Sequence, residues 1–390
     1  MDVGALLDGA MAVEVSHETD DPALGALGLA VAANLPVILW GDPGTGKSSI
    51  VRDLAEGLGL VCEVVIASIR EPSDFAGLPV IQPDGGVRLA PPEWAKRLAA
   101  LGGGLGFFDE LSSAPPAVQA ALLRVVLERT VGDLDLPREV RIVAAANPAR
   151  TAADGWDLAP PLANRFVHLQ WKPRAVSIAR GLGGLWSTPA APQVDRMAIT
   201  EGVVHARAAV RSFLNARPAL GVMMPPASDK RGQAWPSPRT WEMAIRSLAV
   251  TRASSASGEA TALLLAGCIG ESAALELLAF MENLDLPDPE ALLADPQAVR
   301  IPERGDRAFA ILSGVVAAVL AEPTLQRWRA AWIVLSKAVE RGVPDVAARA
   351  ALDLAAMRDP SWPAPPEVMA FAEVIGHAGF DSAGDADSLS

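Results

Sequence analysis

The most specific chemical spacing in the chain is Gly41-Asp42-Pro43-Gly44-Thr45-Gly46-Lys47-Ser48, which fits G-x-x-x-x-G-K-[ST]. In this pattern glycines let successive backbone N–H groups converge on phosphate oxygens. A helix beginning at the loop's end adds a favourable dipole. Gly41, Pro43, Gly44, Thr45, Gly46, Lys47, Ser48 and Ser49 are therefore the expected phosphate-binding residues. Lys47 is expected to reach the β- and γ-phosphates of a nucleotide, and the Ser48 hydroxyl to hold Mg²⁺. The competing reading is an ordinary glycine-rich turn. The apolar run 36–40 before the loop and the helix-like stretch 49–55 after it argue for the phosphate site.

Asp109-Glu110 close a second apolar run, 105–108. Asp109 would bind Mg²⁺ directly or through water, and Glu110 would activate the attacking water as general base. The alternative, a solvated strand end, loses weight after a P-loop because the same sheet edge must hold the metal. Asn147 ends the next apolar run before Pro148. Its amide would position water beside the γ-phosphate, or simply form a turn. Arg165 lies between a short helix and a strand, where an arginine at a subunit edge would reach a neighbour's γ-phosphate. As an isolated residue it is also a plausible surface ion-pair partner. Arg239, in Ser237-Pro238-Arg239, opens a helix and would fold down onto the nucleotide, unless it is only a solvated first-turn residue. A cation in that turn opposes the helix dipole, which points to an anionic partner.

These residues need a scaffold that brings them to one edge. Strand-like runs at 36–40, 60–67, 105–108, 140–146 and 166–169 alternate with helical stretches, the pattern of a parallel, doubly wound α/β sheet. Such sheets bind ligands at the carboxyl ends of their strands. Asp84-Gly85 between two short strand-like runs predicts a hairpin over 78–89, and 131–137 reads as turn-rich. Helices are also predicted at 3–13 and 22–34, the second with a capped start at Asp20-Asp21-Pro22. Beyond 175 the strand pattern stops. Helices are predicted near 201–216, 239–252, 258–284, 305–321, 325–341, 344–357 and 364–378, with loops at 181–195 and 217–238 and a frayed acidic tail at 381–390. The expected domains are a nucleotide-binding α/β unit over 1–174 with its hairpin near 77–90, a helical lid over 175–285, and a helical extension over 286–390.

Composition narrows the partners. A chain of 390 residues is long enough for two domains. A net charge of −13 argues against nucleic acid, which needs a basic stripe. Cys62 and Cys268 are far apart, and the histidines (His17, His168, His205, His377) are scattered, so neither type suggests a metal cluster. The start lacks the basic character of a signal peptide, and the longest apolar stretches are too short to span a bilayer. The expectation is a cytoplasmic protein without membrane insertion.

The order of four motifs resembles AAA+ ATPases. They are the P-loop, Phe107-Phe108-Asp109-Glu110-Leu111-Ser112-Ser113-Ala114-Pro115-Pro116, Ala144-Ala145-Ala146-Asn147-Pro148 and Pro161-Leu162-Ala163-Asn164-Arg165-Phe166. Within that family the chain looks most like the MoxR-type branch, related to dynein and to the helix-2-insert clade. Ser73-Asp74-Phe75-Ala76-Gly77 and its hairpin sit where that clade inserts a hairpin into helix 2. Residues 114–123 resemble the helix after Walker B, and Ser237-Pro238-Arg239 the start of the sensor 2 helix. The resemblance assigns sensor 1 to Asn147, the arginine finger to Arg165 and sensor 2 to Arg239. It also implies a ring, most often a hexamer, with ATP between subunits and work on a protein client, chaperone-like, often with a von Willebrand factor A-domain partner. It spans about residues 20–285; the segments 181–195 and 217–236 depart from it, and it does not extend to 286–390. Trp40 is unusual before a P-loop and packs either near the base or in the core. Two other functions remain: a nucleic-acid motor or restriction-type NTPase of the same clade, and a non-hydrolysing ATP-binding scaffold. Intact Lys47, Asp109 and Glu110 disfavour the scaffold.

Overall fold

The computed structural model describes residues 21–148, 156–183, 192, 194–226, 232–282 and 286–372. Its strands are β1 (Val37–Trp40), β2 (Cys62–Ile66), β3 (Leu78–Ile81), β4 (Val87–Ala90), β5 (Gly104–Asp109), β6 (Thr130–Val131), β7 (Leu134–Asp135), β8 (Val140–Ala146) and β9 (Val167–Gln170). Five of them form one sheet in the order β2-β5-β8-β1-β9, with every pairing parallel. Parallel strands need both faces covered, and β5 and β8 are accordingly buried along nearly their whole length.

Alternation sends side chains to two cores. Val37, Leu39, Val143, Val167 and Leu169 pack under helices Pro22–Ala32, Lys47–Gly57, Pro238–Ala253 and Gly258–Ile269. Ile38, Phe108, Ala144 and Phe166 pack under Glu93–Ala100, Pro116–Glu128 and Pro160–Ala163. The helix Gly258–Ile269 lies so close to the edge strand that a Cβ on Gly267 would sit 2.5 Å from the His168 carbonyl oxygen. A third core, around Trp328, Trp332 and Phe371, joins helices Gly305–Ala321, Leu325–Glu340 and Pro344–Ala356. It meets the rest through the packing of Gly305–Ala321 on Arg196–Ala216 and an ion pair between Arg211 and Asp353.

The α/β architecture and the all-helical second half agree with the sequence reading, with local differences. The helix expected over 258–284 is two helices, Gly258–Ile269 and Glu271–Glu282, broken at Gly270, whose φ of +82° suits only glycine without strain. The stretch 131–137 contains the second arm of a small antiparallel hairpin, β6–β7, too short for periodicity to reveal. Helices Ala175–Leu182 and Pro289–Ala294 had no sequence expectation, and the helix expected over 364–378 is a 3₁₀ segment, Pro366–Phe371, in its described part. The expected helix 3–13 and tail 381–390 lie outside the described residues. The hairpin β3–β4 is present, with Leu78↔Ala90 and Ile81↔Val87 in register. No helix among the described residues is long and apolar enough to cross a membrane.

Candidate nucleotide site

The P-loop joins the carboxyl end of β1 to helix Lys47–Gly57. Gly44 and Gly46 have φ of +76° and +83°, and a Cβ on either would meet no neighbour, so backbone conformation alone demands glycine there. Gly41 is required for a different reason: its Cβ would lie 2.6 Å from the Trp171 carbonyl oxygen. Trp171, the residue after β9, also donates its indole N–H to the Thr45 carbonyl at 2.8 Å and so braces the loop. Thr45 Oγ1 donates to the Asp42 carbonyl at 2.7 Å. No side chain caps the helix at Gly46, so its first-turn N–H groups face the loop. Pro43, Gly44, Gly46 and Ser49 are exposed along it.

Lys47 is buried, and its ammonium donates to the Gly41 carbonyl at 2.7 Å, the Asp42 carbonyl at 3.0 Å and Asn147 Oδ1 at 2.9 Å. Burial lowers its pKa, and the charges of Asp109, Asp42 and Glu110 oppose that shift. Ser48 Oγ donates to Asp109 Oδ2 at 2.6 Å, which joins the helix start to the carboxyl end of β5 across 61 positions of sequence. A hydroxyl and a carboxylate are hard oxygen donors, the set that Mg²⁺ takes together with phosphate oxygens. Among the described residues no group of three or more His, Cys, Asp or Glu is placed to hold a metal by itself.

Glu110 has φ of +55°, a left-handed conformation that costs a non-glycine residue about 1–3 kcal/mol. Its N–H donates to Asp109 Oδ1 at 2.9 Å, and its carboxylate accepts from Ser68 Oγ at 2.5 Å. Asn147 is held through its own N–H, which donates to Ser112 Oγ at 2.9 Å. Lys47, Ser48, Asp109, Glu110 and Asn147 thus gather at one sheet edge. Ser68, Ser112 and Trp171 support them, and no sequence signal singled those three out.

Arg165 and Arg239 lie elsewhere. Strand β9 runs parallel to β1 with Val37↔Val167 and Trp40↔Gln170. Arg165 therefore flanks the amino end of the pair, while the P-loop follows its carboxyl end, about 10–13 Å away at the usual strand rise. Arg239 starts helix Pro238–Ala253, whose N-cap Ser237 donates from Oγ to Asn164 Oδ1 at 2.8 Å. The two guanidinium groups feel each other: burial, then the charge of Arg239, lowers the Arg165 pKa. Arg165 donates to the Pro161 carbonyl, and its Nε is buried without a partner. Neither arginine has a carboxylate partner among the described residues. Arg239 stands close enough to Arg165 for its charge to act there, and its helix start is tied to Asn164.

Residues 36–166 match the family model of the AAA domain, dynein-related subfamily. This segment is an AAA domain of the dynein-related subfamily. The chain is 36% identical over 112 residues to Protein MoxR of Methylorubrum extorquens. That alignment covers 28% of this chain and 32% of MoxR, so the chain spans about a third of the length of the curated relative it matches. A solved ATPase structure from Cytophaga hutchinsonii matches 67% of this chain and 88% of its own, at 14% identity and a TM-score of 0.39, a likeness too slight to define the fold.

Proposed function

We propose that this chain hydrolyses ATP with Mg²⁺ at the subunit interfaces of a homo-oligomeric ring, and that the cycle remodels or activates a protein partner. The observation that carries this is the separation of charge within one chain. The P-loop, Ser48, Asp109, Glu110 and Asn147 sit at the carboxyl edge of the sheet. Arg165 and Arg239 stand together at the amino end with no carboxylate partner among the described residues.

A head-to-tail ring contact would bring the arginines of one subunit to the P-loop edge of the next. In this reading Lys47 and the P-loop amides bind the β- and γ-phosphates. Ser48 and Asp109 hold Mg²⁺, which when bound neutralises phosphate charge. Glu110 takes the proton of the attacking water, and Asn147 orients that water while anchoring Lys47. Arg165 and Arg239 stabilise the charge that develops on the neighbour's γ-phosphate.

The hexameric count, a chaperone-like role, a cytoplasmic site and a von Willebrand factor A-domain client follow from the MoxR-type resemblance and are proposed on that basis. The exposed apolar hairpin β3–β4, with Ile81 79% exposed, suits contact with a protein client. Specific ATPase activity measured against protein concentration, alongside mass measurement in solution, tests the ring. Activity should rise more steeply than linearly where the oligomer forms. A fully active monomer would contradict the proposal.

A further inference from the structure

We propose that Trp40 and His168 form a positioning pair that fixes the turn carrying Arg165, working from the P-loop end of the same sheet. The proposal rests on the reading that Arg165 serves a neighbouring subunit's nucleotide.

Trp40 is the last residue of β1, directly before Gly41. An indole can only donate, so its N–H fixes His168 Nδ1, at 2.9 Å, as the acceptor. The imidazole proton then sits on Nε2 and donates to the Ala163 carbonyl at 2.9 Å. The rings are stacked, with centroids 6.0 Å apart and planes 14° from parallel. Burial pushes the His168 pKa down to about 4, so one neutral tautomer persists at neutral pH. Ala163 ends helix Pro160–Ala163, and Asn164 and Arg165 follow it directly.

Hydrogen bonds therefore run from the residue before the P-loop to the residue two before Arg165. Asn164 fixes the same turn from the other side, accepting from Ser237 Oγ and donating to the Trp235 carbonyl at 3.3 Å. A core-filling role does not account for this arrangement. His168 occupies a buried strand position between Val167 and Leu169, where an apolar side chain carries no desolvation penalty. Trp40 is only half-buried, and both nitrogens of His168 are used.

Mixed rings separate an effect on Arg165 from an effect on the adjacent P-loop. In a mixture of Lys47→Ala and Arg165→Ala subunits, the productive interfaces take their P-loop from the Arg165→Ala chain and their arginine from the Lys47→Ala chain. Adding Trp40→Phe to the Lys47→Ala chain leaves every working P-loop beside an intact Trp40. Restored hydrolysis should nevertheless fall about fivefold or more, the scale of one lost hydrogen bond, with ATP affinity of the mixture unchanged. Equal restoration by the two mixtures would overturn the proposal. No restoration in the parent mixture would remove the in-trans reading itself, and the positioning role with it. If Trp40→Phe impairs assembly, the same comparison uses His168→Gln and His168→Leu in the Lys47→Ala chain. Glutamine can still donate to the Ala163 carbonyl and should retain most of the restored activity, whereas leucine should not. Equal behaviour of those two variants also overturns it.

Discussion

Ser237 and Asn164 meet in a buried hydrogen bond of 2.8 Å that joins the sensor-2-like helix to the residue beside Arg165. A reciprocal bond, Ser237 N–H to Thr240 Oγ1 at 2.8 Å, completes the capping box of that helix. The start of helix Pro238–Ala253 is thereby tied to the turn that precedes β9, and Arg239 with it.

Binding and chemistry should separate cleanly within the P-loop edge. Lys47→Ala removes the cation that faces the β- and γ-phosphates and should abolish tight ATP binding. Glu110→Gln should bind ATP normally and lose turnover by roughly 10²-fold or more, the usual scale for a general base. Equilibrium binding and single-turnover hydrolysis measure the two effects. Near-normal turnover in Glu110→Gln would remove its assigned role.

Ser68 Oγ donates to the Glu110 carboxylate and so restrains it. Ser68→Ala releases it, and basal turnover should rise by about fivefold, the equivalent of one hydrogen bond of about 1 kcal/mol. A steady-state ATPase assay decides. A fall to the level of Glu110→Gln would mean that Ser68 orients the base for reaction.

The hairpin β3–β4 is exposed along β3 and tied at its base to β6–β7, where the Leu89 N–H donates to Asp133 Oδ2 at 2.8 Å. Replacing its tip, residues 83–86, by a short neutral turn should spare basal ATPase and abolish stimulation by a protein client. Loss of basal ATPase together with the thermal transition would mark the hairpin as part of the fold alone.

His168 also makes a pH prediction. Its pKa is about 4 in the folded protein and about 6.5 in an unfolded chain, so the unfolded state binds the extra proton first. Its contribution to stability is present above pH 6.5 and is lost as pH falls from there towards 4. Urea unfolding at pH 7 and pH 5 should show a larger loss for the wild type than for His168→Gln. Identical losses would place the acid sensitivity elsewhere.

How much was legible in the sequence follows from the range of each signal. The P-loop could be read directly because Gly44 and Gly46 record backbone conformation, and Asp109 and Glu110 stand at the end of an apolar run. The break at Gly270 was invisible, since the residues on both sides keep helical spacing. The place of Arg239 was illegible for a different reason. The capping box shows that a helix begins at Ser237, but only the distant contact with Asn164 shows at which end of the sheet. The same holds for Trp40, whose partner His168 lies 128 positions away.

The central claim is a site completed by a neighbour's arginine, and subunit mixing tests it most directly. Lys47→Ala and Arg165→Ala proteins should each be nearly inactive, Arg165→Ala by roughly 10³-fold or more despite normal ATP binding. Mixed in equal amounts under conditions where rings exchange subunits, about a quarter of the interfaces pair an intact P-loop with an intact Arg165 in a head-to-tail ring. Hydrolysis should return towards that fraction of the wild-type rate. A mixture that forms mixed rings and stays as inactive as its parts would contradict the account, as would full activity of Arg165→Ala alone.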